Sequence, residues 1–259
     1  MEYVTLGNTN LLVSRTSFSA MSLDCPEIEN AGDPEEVVCS MVHQSYAAGM
    51  NFFDTAHSKT VCEKRLGAAL HGIRQNVLLA TKTAAQSPRE LRSDIHEILS
   101  NLETDYIDLL QLEQPLILPE KDGKDGIYNE LLNLKEKGLI RHFGVSTENY
   151  DIADKAVESG LYETVQFPFN VLSSENVVKL VEKSQEREVG CIAIEPLNGG
   201  IVTSLPLAYG YLYQYENVVS EWGARTLEEL QQIIYFINHP PVIDEQFKKD
   251  VIFNRSLFS

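Results

Sequence analysis

The stretch Val77 to Leu112, VLLATKTAAQSPRELRSDIHEILSNLETDYIDLLQL, decides how the chain folds. Val77 to Thr81 is a short Val- and Leu-rich run of the kind that forms a strand. Pro88 to Leu102 follows as a helix, because Leu91, Ile95, Ile98, Leu99 and Leu102 recur at helical spacing along one stripe. Tyr106 to Leu112 is strand-like again. The same alternation extends in both directions, with strands predicted at Thr16 to Met21, Asn51 to Thr55, Ile140 to Val145, Thr164 to Phe169, Cys191 to Ile194 and Val218 to Glu221. Between them lie further amphipathic segments such as Asn176 to Arg187, which places Val177, Val178, Leu180 and Val181 on its buried side. Eight strand-helix repeats require a parallel sheet and favour closure into a single (β/α)8 TIM barrel, class α/β. Tyr3 to Leu6 and Leu11 to Ser14, turning at Gly7 to Asn10, read as an N-terminal β-hairpin closing the bottom of the barrel. No linker interrupts residues 1–259, so one barrel domain is expected.

Composition narrows the function classes. The 38 acidic against 21 basic residues give a formal net charge of −17, which repels nucleic acid and anionic lipid. A small-molecule substrate is the expected partner, with no nucleic acid and no membrane; the oligomeric state is not legible. Cys25, Cys39, Cys62 and Cys191 are scattered without a C-x-x-C pair, so no metal site is predicted and reduced cytoplasmic thiols fit best. Met1-Glu2-Tyr3 lacks the basic start and apolar run of a secretory leader.

In a barrel of this kind chemistry sits at the C-terminal ends of the strands. In strand order that rim offers Asp54, Lys82, Glu113, Ser146, Gln166, Glu195 and Trp222. Polar rims are common, but Asp54, Lys82 and Glu113 on consecutive strands predict one charged cleft.

Tyr3 to Arg15 (YVTLGNTNLLVSR), Asn51 to Ala56 (NFFDTA), Leu79 to Lys82 (LATK), Asp105 to Leu112 (DYIDLLQL), Gly138 to Ser146 (GLIRHFGVS) and Gly223 to Leu230 (GARTLEEL) resemble the aldo-keto reductases, in order and over nearly the whole chain. Ile194 to Gly200 (IEPLNGG) is similar to the branch whose seventh strand ends in Glu-Pro-Leu. Members of that branch often carry an iron-sulfur segment, for which this sequence shows no cysteine pattern. The resemblance implies NADPH-dependent carbonyl reduction by an Asp, Tyr, Lys, His tetrad. Asp54 and Lys82 match the Asp and Lys. The Tyr, expected five residues after the Asp, is replaced by Lys59, and the His by Glu113, a change that some steroid double-bond reductases of the family share while keeping the Tyr.

A lysine at position 59 near Lys82 adds a like charge, so Lys59 is expected to have a lowered pKa and to act as an imine-forming nucleophile, unless it points to solvent or pairs with Glu113. His57 and Ser58 are alternative proton donors.

For NADP(H), the resemblance implies Ser146 and Gln166 at the nicotinamide end, with Gly223 and Arg225 at a phosphate. Against this, Thr147 replaces the usual Asn, Ile194 the stacking aromatic, Glu229 an Arg or Gln, and Gln232-Ile233 a Glu-Asn pair.

Three readings follow. The leading one is a non-redox lyase, isomerase or elimination enzyme using Lys59, Glu113, Lys82 and Asp54 on a small carbonyl or hydroxy compound; the others are an NADP-dependent oxidoreductase and a non-catalytic binding or regulatory barrel. The apolar tail, Pro240 to Ser259, is expected to pack on the barrel or a partner.

Overall fold

The computed structural model describes residues 1–258. A hairpin of β1 (Tyr3–Thr5) and β2 (Leu12–Ser14) precedes eight barrel strands: β3 (Thr16–Ser19), β4 (Phe52–Asp54), β5 (Leu78–Thr83), β6 (Ile107–Glu113), β7 (Ile140–Ser146), β8 (Thr164–Pro168), β9 (Gly190–Ile194) and β10 (Val218–Gly223). They close in the order β10-β3-β4-β5-β6-β7-β8-β9, every pair parallel. The helices are α1 (Pro26–Glu29), α2 (Pro34–Ala47), α3 (Thr60–Ala69), α4 (Pro88–Asn101), α5 (Ile127–Glu136), α6 (Tyr150–Ser159), α7 (Glu175–Glu186), α8 (Leu205–Tyr213), α9 (Leu227–Asn238) and α10 (Glu245–Ser256). All eight expected strands are present. β3 ends early because Ala20–Ser22 turns as a 3-10 helix, while β5 and β10 each run two residues further than expected.

Capping chemistry starts the helices where the sequence changes character. Ser87 accepts the Glu90 N–H at 3.3 Å and Pro88 needs no donor partner in the first turn of α4. The expected apolar stripe of α4 is buried at Leu91, Ile95, Ile98 and Leu102. On α7 the fully buried residues are Leu180, Val181 and Ser184, with Val177 and Val178 only half-buried.

A period of two divides every strand between the barrel interior and the helix layer. Phe18, Phe53, Leu79 and Leu110 pack outward against the helices. Phe52, Ala80, Leu109, Ile192 and Val219 point inward and meet Leu6 and Val13 of the hairpin, which plugs the bottom. Each large side chain buried there contributes about 1.5–3 kcal/mol. Two residues along each strand, the same inward face carries Asp54, Lys82, Gln111 and Glu221. The apolar plug therefore sets the depth at which charge begins.

The tail packs only in part: Phe247 is buried and Val251 half-buried, Ile252, Phe253, Leu257 and Phe258 stay exposed, and Ser259 lies outside the described residues. Phe247 of α10 is buried against Gly210 of α8, where a Cβ would come within 2.6 Å of its ring. Arg255 donates to the Val171 carbonyl at 2.7 Å and the Tyr211 hydroxyl at 2.8 Å. No helix of the described residues is long and apolar enough to cross a membrane.

The plug depends on Gly7. Its φ is +54°, and a Cβ there would lie 2.3 Å from the Gly190 backbone nitrogen. Gly7→Ala is therefore expected to destabilise the protein by about 2 kcal/mol or more, lowering its urea midpoint; an unchanged midpoint would show that the hairpin does not seal the barrel.

Candidate active site

At the top of the interior a lysine and a carboxylate are held together out of water. Lys82 on β5 is 4% exposed and Asp54 on β4 is 0% exposed. The Lys82 ammonium donates to Asp54 Oδ2 in a close ion pair and to the Thr55 carbonyl at 2.8 Å. Burial lowers the pKa of Lys82, but the acidic groups around it, Asp54 first, outweigh that cost and raise it above the ordinary value. Lys82 is thus a fixed cation.

A relay of polar side chains crosses the barrel from β7 to β10. The Ser146 hydroxyl donates to Gln166 Oε1 at 2.7 Å. The Gln166 amide nitrogen in turn donates to Asp54 Oδ2 at 2.8 Å and to Glu221 Oε2 at 2.7 Å. Asp54 Oδ1 has no hydrogen-bond partner among the described residues. Burial, and then the Asp54 charge, push the Glu221 carboxyl well above the usual carboxylate range.

Above this layer opens a cavity of about 350 Å³ lined by Lys82, Glu113, Ser146 and Glu221, with the exposed Glu148 and Glu195 at its mouth. Asp54 lies behind Lys82, outside the lining. A second cavity of about 480 Å³ shares Gly223 with the lining of the first and is lined by Leu197, Trp222, Arg225, Glu229 and Ile233.

Three expectations need correction. Lys59 caps the start of α3 and its ammonium is held by Asp24, 3.0 and 3.2 Å from the two carboxylate oxygens. That hydrogen bond raises its pKa, the opposite of an activated amine, and Lys59 does not line either cavity at the site. Trp222 is turned away from the inner cavity by the alternation of β10, stacking on Tyr209 of α8 with ring centroids 5.5 Å apart, and it lines the second cavity. The inward residue at that level is Glu221, which counting back by twos from Gly223 would have found. Arg225 is taken up by Glu229, which accepts its backbone N–H at 2.8 Å and its guanidinium at 2.8 Å, and it also pairs with Glu27 at 3.4 Å. Of the two alternative donors, His57 is drawn toward Glu63 at 3.3 Å and toward Asp94 and Glu97 at 3.8 Å each, and neither it nor Ser58 lines either cavity.

Removing the lysine should expose the cost of the carboxylates it neutralises. Lys82→Met is expected to lower stability by about 3–5 kcal/mol at neutral pH, and the paired change Lys82→Met with Asp54→Asn by clearly less, in urea denaturation. Equal losses in both would mean that the ion pair does not compensate a buried charge. For Lys59, borohydride in the presence of small aldehydes is expected to label it no faster than the exposed surface lysines, as judged by peptide mass spectrometry; selective capture there would restore an imine role.

Comparison with known proteins agrees with the geometry. The model of the aldo/keto reductase family matches residues 26–206. An uncharacterized oxidoreductase of Bacillus subtilis, YqkF, is 25% identical over 250 residues, covering 87% of this chain and 76% of its own. The L-galactose dehydrogenase of Arabidopsis thaliana is 28% identical over 222 residues, covering 78% and 67%. Among solved structures, the holo form of the aldo-keto reductase AKR11C1 from Bacillus halodurans superposes with a TM-score of 0.82 at 21% identity, over 98% of this chain and 96% of that one. The barrel, its hairpin plug and the family match over most of its length place this chain in the aldo/keto reductase family.

Proposed function

We propose that this barrel moves protons rather than hydride, acting as an isomerase or elimination enzyme on a small carbonyl or hydroxy compound. The observation that carries the reading is the Lys82 ammonium, buried, held charged by Asp54, and opening onto a cavity that also presents Glu113. Glu113 removes a proton from the carbon beside the carbonyl. The C–H pair becomes a C=C bond as the carbonyl π pair moves onto oxygen, where the fixed charge of Lys82 stabilises it. Return of the proton to a neighbouring carbon completes an isomerisation; departure of a β-hydroxyl as water completes an elimination. Neither course consumes an oxidant or reductant. Lys59 takes no part.

The side chains fit an NADP(H) dinucleotide poorly. Ser146 and Gln166, the groups that the family resemblance assigns to the carboxamide, are hydrogen-bonded to one another, and Gln166 is also committed to Asp54 and Glu221. The backbone N–H and guanidinium that Arg225 would offer a phosphate are both taken by Glu229, whose carboxylate lines the same cavity. An exposed pair of this type is worth only a few tenths of a kcal/mol, but the carboxylate itself opposes a phosphate dianion. Ile233 lines that cavity without any hydrogen-bonding group. A second reading, NADP(H)-dependent reduction, draws on the two cavities that share Gly223 and on relatives whose names are oxidoreductase and dehydrogenase.

Two measurements separate the readings. Calorimetric titration with NADPH and NADP+ is expected to give no saturable binding below about 1 mM, the weak end of the range in which enzymes hold their substrates; micromolar binding would favour reduction. Proton NMR in D2O with hydroxyacetone and dihydroxyacetone is expected to show protein-dependent exchange beside the carbonyl, slowed about 10²-fold or more in Glu113→Gln. Undiminished exchange in that variant would remove Glu113 from the reaction.

A further inference from the structure

Resting on the acid–base reading above, we infer that Glu221 is the proton donor of this site, delivering a proton from the last barrel strand to the substrate oxygen as Glu113 withdraws one from carbon. No tyrosine stands where the family resemblance implies the acid, and Lys59, which occupies that position, is tied to Asp24 away from the cavity. The donor must come from elsewhere on the lining.

The case begins with a count of charges. Glu221 is 4% exposed, Asp54 0%, and the Gln166 amide bridges them, so their two carboxylate oxygens lie within two hydrogen bonds of each other. One ammonium, that of Lys82, serves both, and among the described residues no other basic side chain lines the cavity. A second uncompensated carboxylate in this layer would cost several kcal/mol, so the site is more stable with one carboxyl protonated. The geometry assigns that proton. Asp54 takes the direct bond from the Lys82 ammonium as well as one amide N–H, whereas Glu221 receives neutral donors, the Gln166 amide and the Ser19 hydroxyl.

The groups facing Glu221 act in both senses, and those that favour its proton prevail. Asp54 on β4 raises its pKa after burial, while Lys82 on β5 and the Ser19 hydroxyl on β3 oppose. Glu113 on β6 and the loop carboxylates Glu148 and Glu195 line the same cavity and add negative charge. The net result is a carboxyl held well above the usual range. Such a group is a neutral acid at neutral pH, able to donate a hydrogen bond and then a proton. Of the two buried carboxyls, Glu221 lines the cavity and Asp54 does not.

The step balances within the site. The Glu221 O–H bond breaks and a substrate O–H bond forms, while the C–H pair shifts to C=C and Glu113 holds the carbon proton. The neutral enol is then the intermediate. Reversal on the neighbouring carbon returns both protons, and Glu221 ends protonated as it began.

Infrared difference spectroscopy reads the proton without turnover. The wild-type protein is expected to show a protonated-carboxyl C=O band at neutral pH that shifts in D2O and is missing from Glu221→Gln. Asp54→Asn removes the neighbouring charge and leaves Lys82 to face Glu221, so the same band should vanish at neutral pH and return on acidification. A band unchanged in Glu221→Gln, or none in the wild type, would overturn the assignment. In the hydroxyacetone exchange assay, Glu221→Gln is expected to lose about 10²-fold or more of the rate. Wild-type exchange should decline on the alkaline side as Glu221 loses its proton, and that decline should be absent from the variant. Full exchange in a folded Glu221→Gln overturns the donor role and leaves the acid–base reading intact. Wild-type exchange that is absent while the band is present overturns the acid–base reading, and with it the donor role, leaving only the stored proton.

Discussion

Everything at the top of this barrel depends on the buried contact between Lys82 and Asp54. A parallel barrel has to fill its interior with layers of side chains, and the hairpin plug with Phe52, Ala80, Leu109, Ile192 and Val219 makes the lower layer apolar. Two residues further along, the same strands deliver Asp54, Lys82, Gln111 and Glu221. Polar groups at that depth cost stability unless they satisfy one another; Gln111, whose amide atoms are both without a hydrogen-bond partner among the described residues, stands outside the network of the other three. Lys82 supplies the positive charge and Gln166 distributes its two N–H bonds between the carboxylates. The resulting network is rigid because each member's position is fixed by a strand and each hydrogen bond by its neighbour.

Much of this was legible from residue spacing. The alternation of strand and helix yields the barrel, and of Asp54, Lys82 and Glu113, expected together at one cleft, Lys82 and Glu113 line the cavity while Asp54 is buried behind Lys82. Parity at β10 was harder to read, since Ser220, Glu221, Trp222 and Gly223 contain no clean alternation of apolar and polar side chains. An aromatic at the end of a strand suggests a wall of the charged cleft, yet Trp222 faces the outer layer, where it stacks on Tyr209 and lines the second cavity instead. Lys59 was illegible for a different reason. Its partner Asp24 lies 35 positions earlier, on a loop after β3, and no periodicity links two loops that the barrel brings together. The sign of the Lys59 shift follows from that one contact: a carboxylate at 3.0 Å holds the charged form, where a cationic neighbour would have released it.

The cavities beside β9 and β10 are where the proposed acid–base chemistry has to be accommodated. Gly223 belongs to the lining of both, and acidic side chains are prominent in each. Glu229 occupies the donors of Arg225, and Glu113, Glu148, Glu195 and Glu221 crowd the inner cavity. On the proposed reading, such a surface disfavours a polyanionic dinucleotide and suits a small neutral or cationic compound. The same negative charge that excludes phosphate also makes the lysine more basic and drives a proton onto the carboxyl that has no direct cation. Cofactor preference and acid strength are then two results of one arrangement.

Neutron diffraction from crystals grown in D2O at neutral pD tests the central claim most directly, because it locates the deuterons in the layer where one cation faces two buried carboxyls. The account expects three deuterons on Lys82 Nζ, none on Asp54, both amide deuterons of Gln166 directed at the carboxyls, and one deuteron on Glu221. A neutral Lys82, or a Glu221 without a deuteron beside an ionised Asp54, would contradict it.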